Sequence, residues 1–306
     1  MKKDFLSIAD FTPEELQHLL DLAISLKRER QAGRNQPILV GKVLGMIFQK
    51  PSLRTRISFD MAMRHLGGDA LYLSPSEIGL GQRESVADVA RVLSGYVDAI
   101  MARVFSHDHI LQLAKWSSVP VINGLSDFDH PCQGMADALT IVEHFGGLKG
   151  LNIAYVGDGN NVAVSLLHIC SKLGANFRIA TPAGFGLKET VLSQAESYNQ
   201  TSGGQVKVLT DPFQAVTDSH VIYTDTWTSM GQEAEAKQRE LVFPPFQVNA
   251  RLISAARKDV IVMHCLPAHR GSEVTDEVMD APYSIVFDQA ENRLHVQKAV
   301  MATLMK

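Results

Sequence analysis

The sequence predicts an α/β protein of two doubly wound domains, each a mainly parallel sheet flanked by helices, with a C-terminal helix returning to the first domain. Three observations predict the two domains. The chain has 306 residues, more than one ordinary core organises. Short apolar runs alternate with helical patterns along its length, which is the rhythm of parallel sheets with right-handed crossovers. The stretch Gly146-Gly147-Leu148-Lys149-Gly150 interrupts that rhythm midway. It divides the chain into a first domain, 1–147, a second, 148–287, and a terminal segment, 288–306.

Each element has its own signal. Thr12, Pro13 and Glu15 form an N-cap, a first-position proline and a capping box. Leu16, Leu19, Leu20, Ala23 and Leu26 follow at helical spacing. Val43–Gln49 reads as a buried strand and Thr55–Leu66 as a helix. Ala70–Leu73, Ala99–Val104 and Val119–Ile122 read as strands, the last followed by a polar loop, Asn123–Asp129. Val86–Tyr96, Ile110–Trp116 and Gln133–Phe145 read as helices. In the second half, strands are expected at Asn152–Val156, Phe177–Ala180, Val206–Leu209, Val221–Thr224, Val260–His264 and Ser284–Phe287, with helices between them.

Composition narrows the function classes. Hydrophobic residues make up 45% and charged residues 20%, as in a globular protein. With 29 Lys and Arg against 33 Asp and Glu, the formal charge is −4. That balance argues against a global nucleic-acid partner, so any anion site is local. Cys132, Cys170 and Cys265 are far apart and odd in number, which argues against a disulfide framework or a zinc site and for a reducing compartment. The start, Met1-Lys2-Lys3-Asp4, leads into no long apolar run. No signal peptide or membrane span is expected, and the cytoplasm is the expected location.

Parallel sheets bind ligands beyond the carboxyl ends of their strands, and the chemically informative residues cluster there. Ser52-Leu53-Arg54-Thr55-Arg56 follows the first strand and opens a helix. A helix N-terminus offers unpaired N–H groups and a positive dipole end, and arginine adds forked bonds suited to phosphate oxygens. An ordinary serine cap with surface arginines would look the same. A Walker loop is ruled out, because its glycines and lysine are missing. Arg103 closes another strand, where a simple ion pair is the plainer reading. His130-Pro131-Cys132-Gln133 opens a helix; His130 can donate to a carbonyl oxygen, or it can simply cap.

In the second half, Gly157-Asp158-Gly159-Asn160-Asn161 follows a strand. Val162 stands where a dinucleotide fingerprint needs its third glycine. The next strand ends Ala180-Thr181-Pro182, without an acid for a ribose. A loop presenting Asn161 to a small polar ligand fits better, and a tight turn with an Asn cap is the plain alternative. Asp225-Thr226-Trp227-Thr228-Ser229-Met230-Gly231-Gln232-Glu233 puts an acid, able to hold an ammonium, at a strand end, and its Ser-Met-Gly reads as a flexible closing loop; a surface loop with a half-buried Trp is the plain alternative. His264-Cys265-Leu266-Pro267 ends a further strand. Cys265 is either a site-facing thiol or a buried hydrophobe. Adjacent His264 and Cys265 in a strand point to opposite faces, which does not suit zinc.

In this order, the clusters resemble the aspartate/ornithine carbamoyltransferase family over essentially the whole chain. Ser-x-Arg-Thr-Arg at 52–56 resembles its carbamoyl-phosphate signature. His130-Pro131-Cys132-Gln133, Asp225 with Ser229-Met230-Gly231, and His264-Cys265-Leu266-Pro267 resemble its ornithine branch. The resemblance implies transfer of a carbamoyl group from carbamoyl phosphate to L-ornithine in arginine metabolism, without metal or cofactor. It implies that Ser52, Leu53, Arg54 and Thr55 bind the phosphate end. Arg103, His130, Pro131, Cys132, Gln133, Cys265, Leu266 and Arg293 complete the carbamoyl-phosphate site. Asn161, Asp225, Ser229 and Met230 hold ornithine. Arg54, Thr55, Arg103 and His130 polarise the carbonyl and the leaving group, Cys265 beside Asp225 relays the amine proton, and Arg56 braces the fold. It also implies a homo-oligomer, a trimer or a multiple of trimers. One departure stands out: Gly79 occupies the place of a glutamine that, in relatives, reaches a neighbouring site, and Gln82 or Arg83 could substitute. Rival readings are a sister carbamoyltransferase using an acylated ornithine or a diamine, a nucleotide-binding dehydrogenase, and a non-catalytic binding protein.

Overall fold

A computed structural model describes residues 4–229 and 233–306. The chain divides into two units, 1–139 with 291–306, and 140–290. The division falls inside a helix, Pro131–Phe145, upstream of the glycine-rich stretch at 146–150.

In the first unit, strands β1 (Val43–Phe48), β2 (Asp69–Leu73), β3 (Ala99–Arg103) and β4 (Val121–Leu125) form a parallel sheet in the order β2-β1-β3-β4. Helices α1 (Pro13–Gln31), α2 (Leu53–His65), α3 (Pro75–Ile78), α4 (Val86–Leu93), α5 (His107–Trp116) and α6 (Pro131–Phe145) accompany it. The capping box read at Thr12 and Glu15 is present, with both reciprocal bonds made. Phe48 is in register with Arg103. The strand order reverses between β1 and β3, so the chain leaving β1 at 49–52 lies beside the end of β3, where such sheets bind ligands.

In the second unit, β5 (Asn152–Val156), β6 (Asn176–Ala180), β7 (Gln205–Leu209), β8 (Val221–Thr224) and β9 (Ile261–His264) form a parallel sheet in the order β7-β6-β5-β8-β9. Its helices are α7 (Asn161–Lys172), α8 (Glu189–Ser202), α9 (Pro212–Val216), α10 (Ala236–Val242), α11 (Ala250–Ile253) and α12 (Asp276–Met279). Here the order reverses between β5 and β8. Tyr155 and Tyr223 are paired across that point and stack at 5.7 Å.

Helix α13 (Val286–Leu304) starts in the second unit and returns to the first. Val296, Ala299, Val300 and Met301 are buried along it. The fully buried Lys298 donates to the Leu26 carbonyl at 3.2 Å and to Asn35 Oδ1 at 3.0 Å, tying α13 to the end of α1. Among the described residues, no helix is long and apolar enough to cross a membrane.

Three sequence expectations need correction. The fourth strand is Val121–Leu125, not Val119–Ile122, so Asn123 and Gly124 belong to the sheet and not to a loop. Asn123 Nδ2 donates to the Leu6 carbonyl at 2.9 Å, and a Cβ at Gly124 would come within 2.5 Å of Met101 Sδ. An Asn-Gly pair that signals a turn is therefore used for sheet packing. The helix expected to reach Tyr96 ends at Leu93. The strand expected at Ser284–Phe287 is a single bridge between Ser284 and Val262, after which α13 begins. At the end of β9, Gln289 Oε1 accepts the His264 backbone N–H at 2.9 Å, taking the place of a pairing strand.

Candidate active site

In the first unit, Ser52 is the N-cap of α2; its Oγ accepts the Thr55 N–H at 3.3 Å. Thr55 is fully buried, and its hydroxyl is the convergence point. Arg103 Nη1 approaches Thr55 Oγ1 at 3.4 Å and Arg293 Nη2 at 3.0 Å. Both arginines are buried. One comes from the end of β3 and the other from α13, so two guanidiniums meet at one helix N-terminus. The buried Nε of Arg54 has no hydrogen-bond partner among the described residues, and an orphan cationic donor is what an anion satisfies. Leu53, the first residue of α2, is 75% exposed.

His130 precedes α6, and its carbonyl accepts the Gln133 and Gly134 N–H groups at 2.9 and 3.1 Å. Burial first, then Arg293 and Arg103, holds its imidazole well below the ordinary 6.5. It is therefore neutral at working pH and can donate one ring N–H. Gln133 Nε2 donates to Asp137 Oδ1 at 2.8 Å, while its Oε1 has no partner among the described residues. Pro131 is the first residue of α6. The Cys132 thiol turns to the Asn123 carbonyl at 3.6 Å, and burial pushes it up to about 12. Arg56 lies outside this convergence: it is exposed and stacks on Tyr72, 4.2 Å from the ring centre.

In the second unit, Asp225 follows β8 and is buried. Its Oδ1 accepts from Cys265 Sγ at 3.0 Å and its Oδ2 from Asn160 Nδ2 at 2.7 Å. Asn160 is also the cap of α7: its Oδ1 accepts the Val162 and Ala163 N–H groups at 3.0 and 3.2 Å, and the Tyr155 hydroxyl at 3.2 Å. The sequence pointed to Asn161, which is half-buried in the first turn of α7. The residue tied to Asp225 is its neighbour. The only local signal was that Asn is a good cap. Ser229 ends the described part of its loop half-buried; Met230 lies outside the described residues.

Leu266 adopts a left-handed φ of 57°, and its N–H donates to His264 Nδ1 at 2.9 Å. His264 Nε2 pairs with Glu273 Oε1 at 3.1 Å. Asp225, His264 and Cys265 bring ligand-type atoms within 4.8 Å of one another, contrary to the opposite faces expected of His264 and Cys265. The strand ends at His264, so its alternation does not reach Cys265. Both nitrogens of His264 are nonetheless engaged, by the Leu266 N–H and by Glu273, so among the described residues this cluster offers no free imidazole to a metal.

Two further positions bear on the rival readings. A Cβ on Gly159 would lie 2.6 to 2.8 Å from the backbone of 185–187, and Gly159 N–H donates to the Phe185 carbonyl at 2.8 Å. The chain itself fills the approach a pyrophosphate would use in a dinucleotide site. Gly79 has φ 49°, and a Cβ there would meet Arg83 Cβ at 2.7 Å. A glutamine does not fit this turn, and Arg83 is held by the Glu77 carbonyl at 2.9 Å.

Comparison with known proteins matches both units. The family model for the aspartate/ornithine carbamoyltransferase carbamoyl-P binding domain covers residues 3–143, and that for the Asp/Orn binding domain covers 149–304. The chain belongs to the aspartate/ornithine carbamoyltransferase family. Among carbamoyltransferases, it is 56% identical to the ornithine carbamoyltransferase of Pyrococcus abyssi, over 99% of this chain and 96% of the relative. It is 52% identical to that of Bacillus subtilis, over 99% and 94%. The solved ornithine carbamoyltransferase of Pyrococcus furiosus superimposes with a TM-score of 0.96 at 56% identity, covering 99% of this chain and 96% of that one. That of Thermus thermophilus gives 0.91 at 46% identity, covering 100% of both chains.

Proposed function

We propose that this carbamoyltransferase transfers the carbamoyl group of carbamoyl phosphate to the δ-amine of L-ornithine, giving L-citrulline and phosphate. The observation that carries the reading is the Asp225–Cys265 contact at 3.0 Å beside Asn160. It sets an acid suited to an ammonium next to a thiol able to move a proton. The ornithine carbamoyltransferases similar over 99% of the chain support the same substrate.

The roles follow from the groups present. The Ser52–Thr55 turn binds the phosphate end through helix N–H groups, with Arg54, Arg103 and Arg293 compensating its charge. Pro131, Cys132 and Gln133 contribute the first turn of α6. Neutral His130 donates to the carbonyl oxygen, and Arg103 opposes the negative charge that grows there. Asp225, with Asn161, Ser229 and Met230, holds the amino-acid end of ornithine. The δ-ammonium gives one proton to Cys265 in its thiolate form, and the neutral δ-amine then attacks the carbonyl carbon. The N–C bond forms, the C–O bond to phosphate breaks with its electron pair going to phosphate, and the second amine proton passes to the departing phosphate. Cys265 and Leu266 line the point of attack.

We place the reaction in cytoplasmic arginine metabolism and infer a homotrimer or a multiple of trimers. Leu53, Ile57 and Met61, four residues apart along α2, and Leu71 on β2 expose apolar side chains by 38 to 75%, a stripe that suits contact with a second copy. A monomer in sedimentation equilibrium would contradict that assembly. The substrate test is carbamoylated-product formation with ornithine, N-acetylornithine, putrescine and aspartate. Ornithine is expected to give by far the highest kcat/KM, and a preference for any of the others would overturn the assignment.

A further inference from the structure

Arg239, on α10, is only 4% exposed, and a buried guanidinium persists only where its donors are paired. Its Nη1 donates to the Trp227 carbonyl at 2.7 Å and meets Asp158 Oδ1 at 3.0 Å. Its Nε and Nη2 reach Glu235 Oε2 at 3.1 and 2.9 Å. Phe185 and Phe243 flank it, with ring centres 4.8 and 5.7 Å from the guanidinium carbon.

These partners lie on the segments that carry the ornithine-side groups. Asp158 stands two residues before Asn160, whose Nδ2 donates to Asp225 Oδ2 at 2.7 Å. Trp227 stands two residues after Asp225. Arg239 therefore grips both segments that meet at the Asp225 carboxylate. Glu235 is half exposed at 52%, whereas the Asp158 side chain is 6% exposed. The buried partner is thus the one that depends on the guanidinium.

We propose that Arg239 is a positioning residue for the amine substrate: by holding Asp158 and the Trp227 carbonyl, it sets the Asp225 carboxylate for the ammonium of ornithine. The inference rests on the reading of Asp225 as the group that holds ornithine. Arg239 touches neither substrate; it acts through Asp158, Asn160 and the 225–227 backbone. Burial already raises Asp158 to about 6, against the pull of Arg239. Without that cation, Asp158 keeps its proton to still higher pH.

The test is steady-state kinetics and thermal unfolding of Arg239→Gln, Arg239→Lys and Asp225→Asn beside the wild type. For Arg239→Gln, KM for ornithine is expected to rise about 10-fold or more. KM for carbamoyl phosphate is expected to stay within about twofold, and the acid limb of kcat/KM for ornithine to move to higher pH. Arg239→Lys is expected to recover part of the loss, because it keeps the charge but lacks the fork that serves two acceptors. If Arg239→Gln does not fold, the Lys variant carries the same KM comparison. A lowered Tm with unchanged ornithine KM and acid limb, while Asp225→Asn weakens ornithine, would overturn the positioning role alone. Unchanged ornithine kinetics in Asp225→Asn would overturn the ornithine reading on which it rests.

Discussion

The two units solve opposite electrostatic problems with different means. The first gathers cations: Arg103 and Arg293 converge on one buried threonine hydroxyl at a helix N-terminus. The second builds around a buried acid, Asp225, fixed by a thiol and an amide. The cationic cradle adds the helix N–H groups of one local turn to those two distant guanidiniums. The acidic side has no such backbone device. It is assembled from side chains far apart in sequence, Asn160 with Asp225, Asp225 with Cys265, and Asp158 with Arg239. The proposed anion site combines a helix start with two distant arginines, whereas the proposed ammonium site rests on tertiary contacts between side chains.

Substitutions sharpen that contrast. The largest effect is expected in the cradle: Arg54→Ala should lower kcat by ~10²–10³-fold or more, as the loss of a preorganised donor does, with Tm nearly unchanged because Arg54 is not a core residue. Wild-type-like turnover would remove Arg54 from the site. A smaller effect is expected on the acidic side. Cys265→Ser should lower kcat/KM for ornithine by about 10-fold to 100-fold and change its pH profile, since a hydroxyl does not ionise in the working range. Ornithine kinetics unchanged across pH would exclude the thiol relay.

The smallest effect lies outside both regions. Burial lowers Lys298 from 10.5 to about 8. The unfolded chain binds that proton more tightly, so between pH 8 and 10 unfolding takes up a proton and stability rises with pH. The cost of the buried charge is fully present below pH 8. Lys298→Met should therefore flatten the rise in Tm over this window by about 2 °C. An identical pH dependence in the variant would show that Lys298 is not the group responsible.

Much of the fold was legible because its apolar runs and caps act locally. The Thr12–Glu15 box and the strands Asn152–Val156 and Val221–Thr224 appear where the sequence put them. What was misread was decided by neighbours. Gly124 sits in a strand where a Cβ would press on the Met101 side chain at 2.5 Å and on the Ala102 carbonyl at 3.2 Å. The apolar run from Ser284 becomes a helix where Gln289 takes the strand-end N–H of His264. The Ser52–Thr55 turn was legible for the same reason as the caps: its residues are consecutive, and Ser52 caps α2. Asn160 and Arg239 were not, since their meaning lies in contacts with Asp225 and Asp158 that no local pattern encodes.

The division of labour is tested most directly by calorimetric titration of inorganic phosphate into the wild type, Arg54→Ala and Asp225→Asn. Phosphate affinity is expected to fall about 10-fold or more in Arg54→Ala and to stay within about twofold in Asp225→Asn. Undiminished binding in Arg54→Ala, or an equal loss in Asp225→Asn, would contradict the account.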